Sequence, residues 1–135
     1  MAFGNIKITI DNITFDPSKS TTYKGLMLSD LPNLIFFAGY TNASWTLKSD
    51  LTSEYASRLI KIMDKKGYSS FMALINGKKM ETIPLLNLNS GYINRSSNIF
   101  PKQGSKLPWR LYQNYFFDYT MLRINKIEDK FLSFR

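Results

Sequence analysis

Gly39 stands between a run that is apolar on both faces, Leu34-Ile35-Phe36-Phe37-Ala38, and a long amphipathic stretch that begins near Thr46. A strand, a glycine and a helix in that order can do chemistry without a titratable side chain. The start of a helix offers backbone amides and the positive end of a dipole, so it favours an anion. In open α/β sheets, ligands sit beyond the carboxyl ends of strands. Gly39, Tyr40, Thr41, Asn42, Ala43, Ser44 and Trp45 therefore form a candidate cofactor-binding turn. An ordinary strand-to-helix connection, with its helix end capped by solvent, satisfies the same pattern.

Two other stretches invite a chemical reading. Lys102-Gln103-Gly104-Ser105-Lys106 has the residue types of a phosphate loop. It lacks the pair of glycines at fixed spacing before Lys and Ser/Thr that cradles a phosphate, so it reads as a structured surface loop. Trp109-Arg110-Leu111-Tyr112-Gln113-Asn114-Tyr115 mixes aromatic and basic residues, as a base-stacking surface does. Its aromatics recur at helical spacing, which favours a buried helix face. The ten carboxylates form no recognisable acid–base pair or calcium loop, and Asp50 and Glu54 read as helix-surface charges.

What is absent narrows the chemistry further. The chain has 135 residues with no Cys and no His. Disulfides, thiol catalysis, cysteine or histidine metal sites and a Ser–His–Asp triad are all excluded. The formal charge is +8 and the pI is about 9.7. The basic residues fall in short groups (Lys65-Lys66, Lys78-Lys79, and 102–110), so they favour solvated surface over a nucleic-acid stripe. No secretory leader is visible, and the apolar run near residues 34–38 is too short to span a bilayer. A cytoplasmic location is the default expectation. The glycosylation-like triplets at Asn12, Asn42 and Asn94 then carry no meaning.

The elements that must position the turn follow from periodicity. Alternation over residues 5–10 predicts a strand with Ile6, Ile8 and Ile10 on one face. Asp11-Asn12 is a turn, and residues 13–15 return as a hairpin arm. Residues 23–28 are extended. Residues 34–38 are expected to be a central strand covered on both sides. Leu47, Leu51, Tyr55, Leu59 and Ile62 or Met63 make one face of a helix over residues 46–66, with Gly67 as its C-cap. Residues 70–75 read as a short strand and Asn76-Gly77 as a turn. Residues 78–89 read as irregular, Pro84 arguing against a central strand. A short helix is expected over 90–97 and a loop over 100–108. Pro108 is placed in the first turn of a last helix, whose stripe runs through Trp109, Tyr112, Tyr115 or Phe116, Tyr119 and Leu122. Residues 130–135 close as a short strand.

The motifs carry a resemblance. Residues 33–51, Asn-Leu-Ile-Phe-Phe-Ala-Gly-Tyr-Thr-Asn-Ala-Ser-Trp-Thr-Leu-Lys-Ser-Asp-Leu, resemble a late segment of Baeyer–Villiger-type, FAD-containing, NADPH-dependent monooxygenases, in the subgroup that includes the ethionamide-activating enzymes. Thr22-Tyr23-Lys24-Gly25-Leu26-Met27-Leu28, Ser90-Gly91-Tyr92-Ile93, Phe100 to Lys106 and Pro108 to Tyr115 are similar to further blocks of that family in the same order. The resemblance implies an enzyme in which NADPH reduces FAD and a peroxyflavin inserts oxygen beside a ketone or oxidises a sulfur or nitrogen centre. It places the strand of residues 34–38 in the FAD-binding fold and the Gly39–Trp45 turn beside the flavin, where helix-start amides stabilise negative charge on the reduced ring. Tyr40, Thr41, Asn42 and Trp45 are the expected flavin or substrate contacts.

This sequence contains no GxGxxG. The family's glycine motifs for FAD and NADPH, and its fingerprint containing His, are therefore not in it. The expected fold is α+β: a partial FAD-domain sheet with one long helix and a helical C-terminal extension. Residues 5–66 would form the end of the FAD-binding fold and residues 67–135 the extension. The expected function is that of a C-terminal fragment or subunit of a flavin-dependent monooxygenase, inactive alone. Its expected partners are a chain bearing the N-terminal FAD- and NADPH-binding part and a small organic substrate, with no metal. Two alternatives are a basic, non-enzymatic binding module and an accessory subunit that completes another chain's flavin domain.

Overall fold

The computed structural model of the protein describes residues 6–75, 80–85 and 99–135. The Asn76-Gly77 turn, the helix expected over 90–97 and the Ser90-Gly91-Tyr92-Ile93 block lie outside the described residues. The architecture is α+β, as expected, built from small antiparallel pairs and one long helix.

Strands β1 (Thr9–Ile10) and β2 (Ile13–Thr14) form a hairpin in which Ile10 faces Ile13. Its turn residues Asp11 and Asn12 both have positive φ, which these short polar side chains tolerate. Strands β3 (Thr22–Tyr23) and β4 (Met27–Leu28) form a second, buried hairpin. Single bridges extend it on both sides, Thr21 with Lys102 and Ser29 with Ala73. The bridges lead to β7 (Lys102–Gly104), paired with β6 (Thr82–Pro84), and to β5 (Phe71–Ala73), paired with β8 (Leu132–Phe134). Residues 82–84 and 102–104, read as irregular and loop, are thus short strands. Pro84 is accommodated at the end of a two-stranded pair, where a missing amide breaks no central ladder.

Helix α1 (Trp45–Lys66) is the expected helix, begun one residue earlier. Leu51, Tyr55 and Leu59 point into the core, and Gly67 ends the helix with φ 70°. That left-handed conformation costs glycine least. The core joins this face to Tyr23, Leu26 and Met27 of the hairpin and to Trp109, Met121, Leu122, Ile127 and Leu132. Trp109 meets Tyr23 and Phe131 edge-on, at 5.3 and 5.7 Å between ring centres.

Two further expectations are corrected. Residues 34–38 are not a strand: among the described residues they join no ladder, and Phe37 is exposed. The Phe36 amide donates to the Leu26 carbonyl at 2.9 Å, so the run crosses the hairpin instead of extending a parallel sheet. Nor does a helix begin at Pro108. The Trp109 carbonyl accepts from the Gly104 amide at 2.9 Å, and the Leu111 amide donates to Gln103 Oε1 at 2.9 Å. These distant partners hold the backbone out of a helix, and Gln113 has φ 53°. Helix α2 is therefore only Tyr115–Tyr119, capped by Asn114 Oδ1, which accepts from the Phe116 and Phe117 amides. A wider π turn, Thr120–Ile124, continues it.

Side-chain tethers hold this C-terminal run along α1. Arg58 donates to the carbonyls of Leu122, Arg123 and Asn125 at 2.8, 2.6 and 2.9 Å, which satisfies the end of the π turn. Arg123 pairs with Glu54, its Nε at 2.5 Å, and lies 3.9 Å from Asp50. Both acids thus do more than solvate the helix surface: they anchor this arginine. Lys66 meets Glu128 at 2.7 Å.

Candidate functional site

The turn that precedes α1 is built from its neighbours. Ser44 is the N-cap, but its hydroxyl exchanges a 2.7 Å hydrogen bond with Thr46 Oγ1 and does not cap the first-turn amides. The positive end of a 22-residue helix therefore faces outward. Trp45 lies over Gly39: a β-carbon there would sit 2.2 Å from the indole. The absence of a side chain at Gly39 is thus used by the protein's own tryptophan. Gln113 clamps the turn from the other side. Its Oε1 accepts from the Thr41 amide at 3.0 Å, and its carbonyl accepts from Asn42 Nδ2 at 3.3 Å. Residues 41–45, including Ala43 and Ser44, are exposed.

Tyr40 alone turns inward. It is buried, and its hydroxyl donates to Asp118 Oδ2 at 2.6 Å. Lys48, also buried, lies 2.8 Å from the same oxygen. That contact is an ion pair rather than an aligned hydrogen bond. Burial pushes the Lys48 ammonium below its ordinary range, with Asp118 opposing the shift. Burial, then Asp118, pushes the Tyr40 phenol up. A cavity of about 20 Å³, room for one water, lies among Gly25, Gly39, Tyr40, Lys48, Gln113 and Asp118.

A second set repeats the chemistry under the β3–β4 turn. Lys24 Nζ lies 3.1 Å from Asp129 Oδ2, which accepts from the Tyr23 hydroxyl at 2.5 Å. Lys24 also donates to Tyr55 Oη at 3.5 Å and sits over the Tyr23 and Tyr55 rings. Burial lowers the Lys24 pKa and raises those of Tyr23 and Tyr55. Lys24 and Asp129 also line an open cleft of about 720 Å³ whose apolar walls include Phe117, Met121 and Phe131.

The sequence reading missed both lysine–aspartate–tyrosine sets. A signal for Lys48 was present: it falls on the stripe of Leu51, Tyr55 and Leu59, an odd place for a solvated cation. Nothing local marks Lys24, Asp118 or Asp129. Among the described residues no cluster of acidic side chains suits a metal, and no helix is long and apolar enough to cross a membrane.

The helix start offers backbone amides and Trp45 an exposed aromatic ring, the kinds of groups that border an aromatic heterocycle such as a flavin. Tyr40 faces away from it, and the turn has no cradle for a pyrophosphate. The residues present can border such a cofactor but cannot enclose it.

Comparison with known proteins finds that over nearly its whole length the chain is similar to FAD-containing monooxygenases. It is 43% identical over 132 residues to the FAD-containing monooxygenase EthA of Mycolicibacterium smegmatis, covering 98% of this chain and 27% of that protein. Identity to the FAD-containing monooxygenase EthA of Mycobacterium tuberculosis is 45%, with the same coverage. Identity to the probable FAD-binding monooxygenase AlmA of Acinetobacter baylyi is 43%, covering 97% of this chain and 26% of that protein. No family model and no solved structure matches the chain. The resemblance carried by the motifs, to the C-terminal part of such enzymes, is borne out. The chain spans about a quarter of the length of these relatives.

Proposed function

We propose that this chain serves as the C-terminal part of a flavin-dependent monooxygenase and borders the flavin with its Gly39–Trp45 turn. The observation that carries the reading is identity of 43–45% over 98% of the chain to FAD-containing monooxygenases. Bound FAD would supply the redox chemistry: acceptance of a hydride from NADPH and transfer of one oxygen atom of O₂ to a ketone or to a sulfur or nitrogen centre, with the other oxygen leaving as water.

This chain's own residues have simpler tasks. The amides at the start of α1 and the Trp45 ring would border the flavin edge, and Thr41 and Asn42 are held in place by Gln113. The buried Tyr40–Asp118–Lys48 set fixes the turn from beneath and moves no proton to substrate, because its cavity admits one water at most. Tyr40 is therefore a positioning residue. The dinucleotide-binding glycine motifs come from polypeptide other than these 135 residues, in the same chain or a partner.

The test is a chimera in which this chain replaces the matched segment of the Mycolicibacterium smegmatis relative. The chimera is expected to retain FAD and to oxidise NADPH in response to a ketone or thioether. The 135-residue chain given FAD and NADPH is expected to show no substrate-dependent oxidation. A soluble chimera unable to hold FAD, or turnover by the chain alone, overturns the proposal.

A further inference from the structure

Five large side chains stand out of the surface on two segments that are held side by side. Trp45 and Leu47 belong to the first turn of α1, while Tyr112 precedes α2 and Phe116 and Phe117 lie within it. Phe116 is 80% exposed, Trp45 63% and Phe117 55%. The segments are joined by Gln113, which holds Thr41 and Asn42, and by the Lys48–Asp118 pair. Tyr112 and Phe117 lie against each other, 5.5 Å between ring centres. Single exposed apolar residues need no explanation, but adjacent exposed aromatics mark an interaction surface.

We infer that this aromatic face is where the flavin-bearing part of the monooxygenase docks, and the inference rests on the function proposed above. Three observations select that occupant. The matched relatives are nearly four times as long as the segment this chain covers, so a large body of polypeptide accompanies it in them. Trp45 belongs to both the face and the turn, and Gln113, next to Tyr112, holds Thr41 and Asn42, so a body that covers the face at Trp45 also meets the turn. Its members are aromatic rather than charged, although the chain carries a net +8, which fits the uncharged centre of a stable interface and not a nucleic-acid surface.

Hydroxyl-radical labelling of the isolated chain and of the chimera tests this. Trp45, Tyr112, Phe116 and Phe117 are expected to label roughly fivefold or more slowly in the chimera, as residues moved into an interface centre do. Ile13 and Ile60, exposed elsewhere, are expected to label equally in both. A chimera that retains FAD while the aromatic face labels undiminished overturns the inference and leaves the proposed function standing. A soluble chimera without FAD overturns both. A face already shielded in an isolated chain that elutes as a dimer assigns it to a second copy and overturns the inference.

A second measurement needs no chimera. Phe116→Ser with Phe117→Ser is expected to raise the solubility of the isolated chain severalfold and leave its unfolding midpoint in place. Unchanged solubility would count against an uncovered interface.

Discussion

Replacing Asp118 by asparagine keeps the shape of the side chain and removes the carboxylate that lies 2.8 Å from buried Lys48. Breaking a buried ion pair from one side costs about 3–5 kcal/mol, because the remaining charge is left uncompensated. Tyr40 keeps an acceptor but loses a charged one. Against a total stability of about 5–15 kcal/mol, that is a large share. With a urea slope of about 2 kcal/mol per molar, the midpoint should fall by roughly 2 M. Fluorescence of buried Trp109 reports the core, and far-ultraviolet circular dichroism reports α1. The double change Asp118→Asn with Lys48→Met removes the stranded charge and should recover most of the loss. The single variant also has a pH signature. Its Lys48, already lowered by burial, loses the partner that opposed the shift. The unfolded lysine holds its proton to about pH 10.4. Where the folded lysine has released its proton and the unfolded one has not, the unfolded state binds more protons, so stability rises with pH. A loss under about 1 kcal/mol, or a double variant no better than the single, would refute the argument that Asp118 compensates a buried cation.

Arg58→Ala removes three hydrogen bonds to the end of the π turn and should cost about 2 kcal/mol, with faster amide exchange over residues 120–127; Arg58→Lys, lacking the planar fork, should not restore it. Gly39→Ala places a methyl inside the indole of Trp45, so the ring must move; because that ring is largely exposed, the effect should appear in tryptophan quenching rather than as a large stability loss. Burial raises the phenols of Tyr23, Tyr40 and Tyr55 above their ordinary value of about 10, so phenolate absorbance should stay at least three groups short of the eight tyrosines until the chain unfolds. Their contribution to stability is fully present below that value and declines above it, since only the unfolded chain then ionises them.

Long, periodic features were legible in the sequence. Helix α1 announces itself through Leu51, Tyr55 and Leu59 and ends at Gly67, and Asp11-Asn12 marks its hairpin. The strands at Phe71–Ala73 and Leu132–Phe134 could be read, but not that they pair with each other across the chain. Residues 34–38 misled because an apolar run is equally what a segment needs to lie half-buried across a hairpin. The aromatics from Trp109 onward have helical spacing, yet their backbone is captured by Gln103 and Gly104, partners that no local pattern displays. The site shows the same division. The turn before α1 was visible as glycine followed by a helix start, whereas its support, Asp118, comes from a distant stretch and is identifiable only in three dimensions.

The tethers along α1 have a consequence for how the chain tolerates change. Lys48, Glu54, Arg58 and Lys66 engage Asp118, Arg123, the Leu122–Asn125 carbonyls and Glu128 in nearly the same order along both segments. On α1 they span roughly 27 Å at 1.5 Å per residue. Such an arrangement depends on phase. One residue inserted in the middle of α1 turns everything beyond it by about 100°, so the tethers on one side of the insertion cannot meet their partners while those on the other side do. The helix and the run from Asp118 to Glu128 are therefore bound to keep their lengths together.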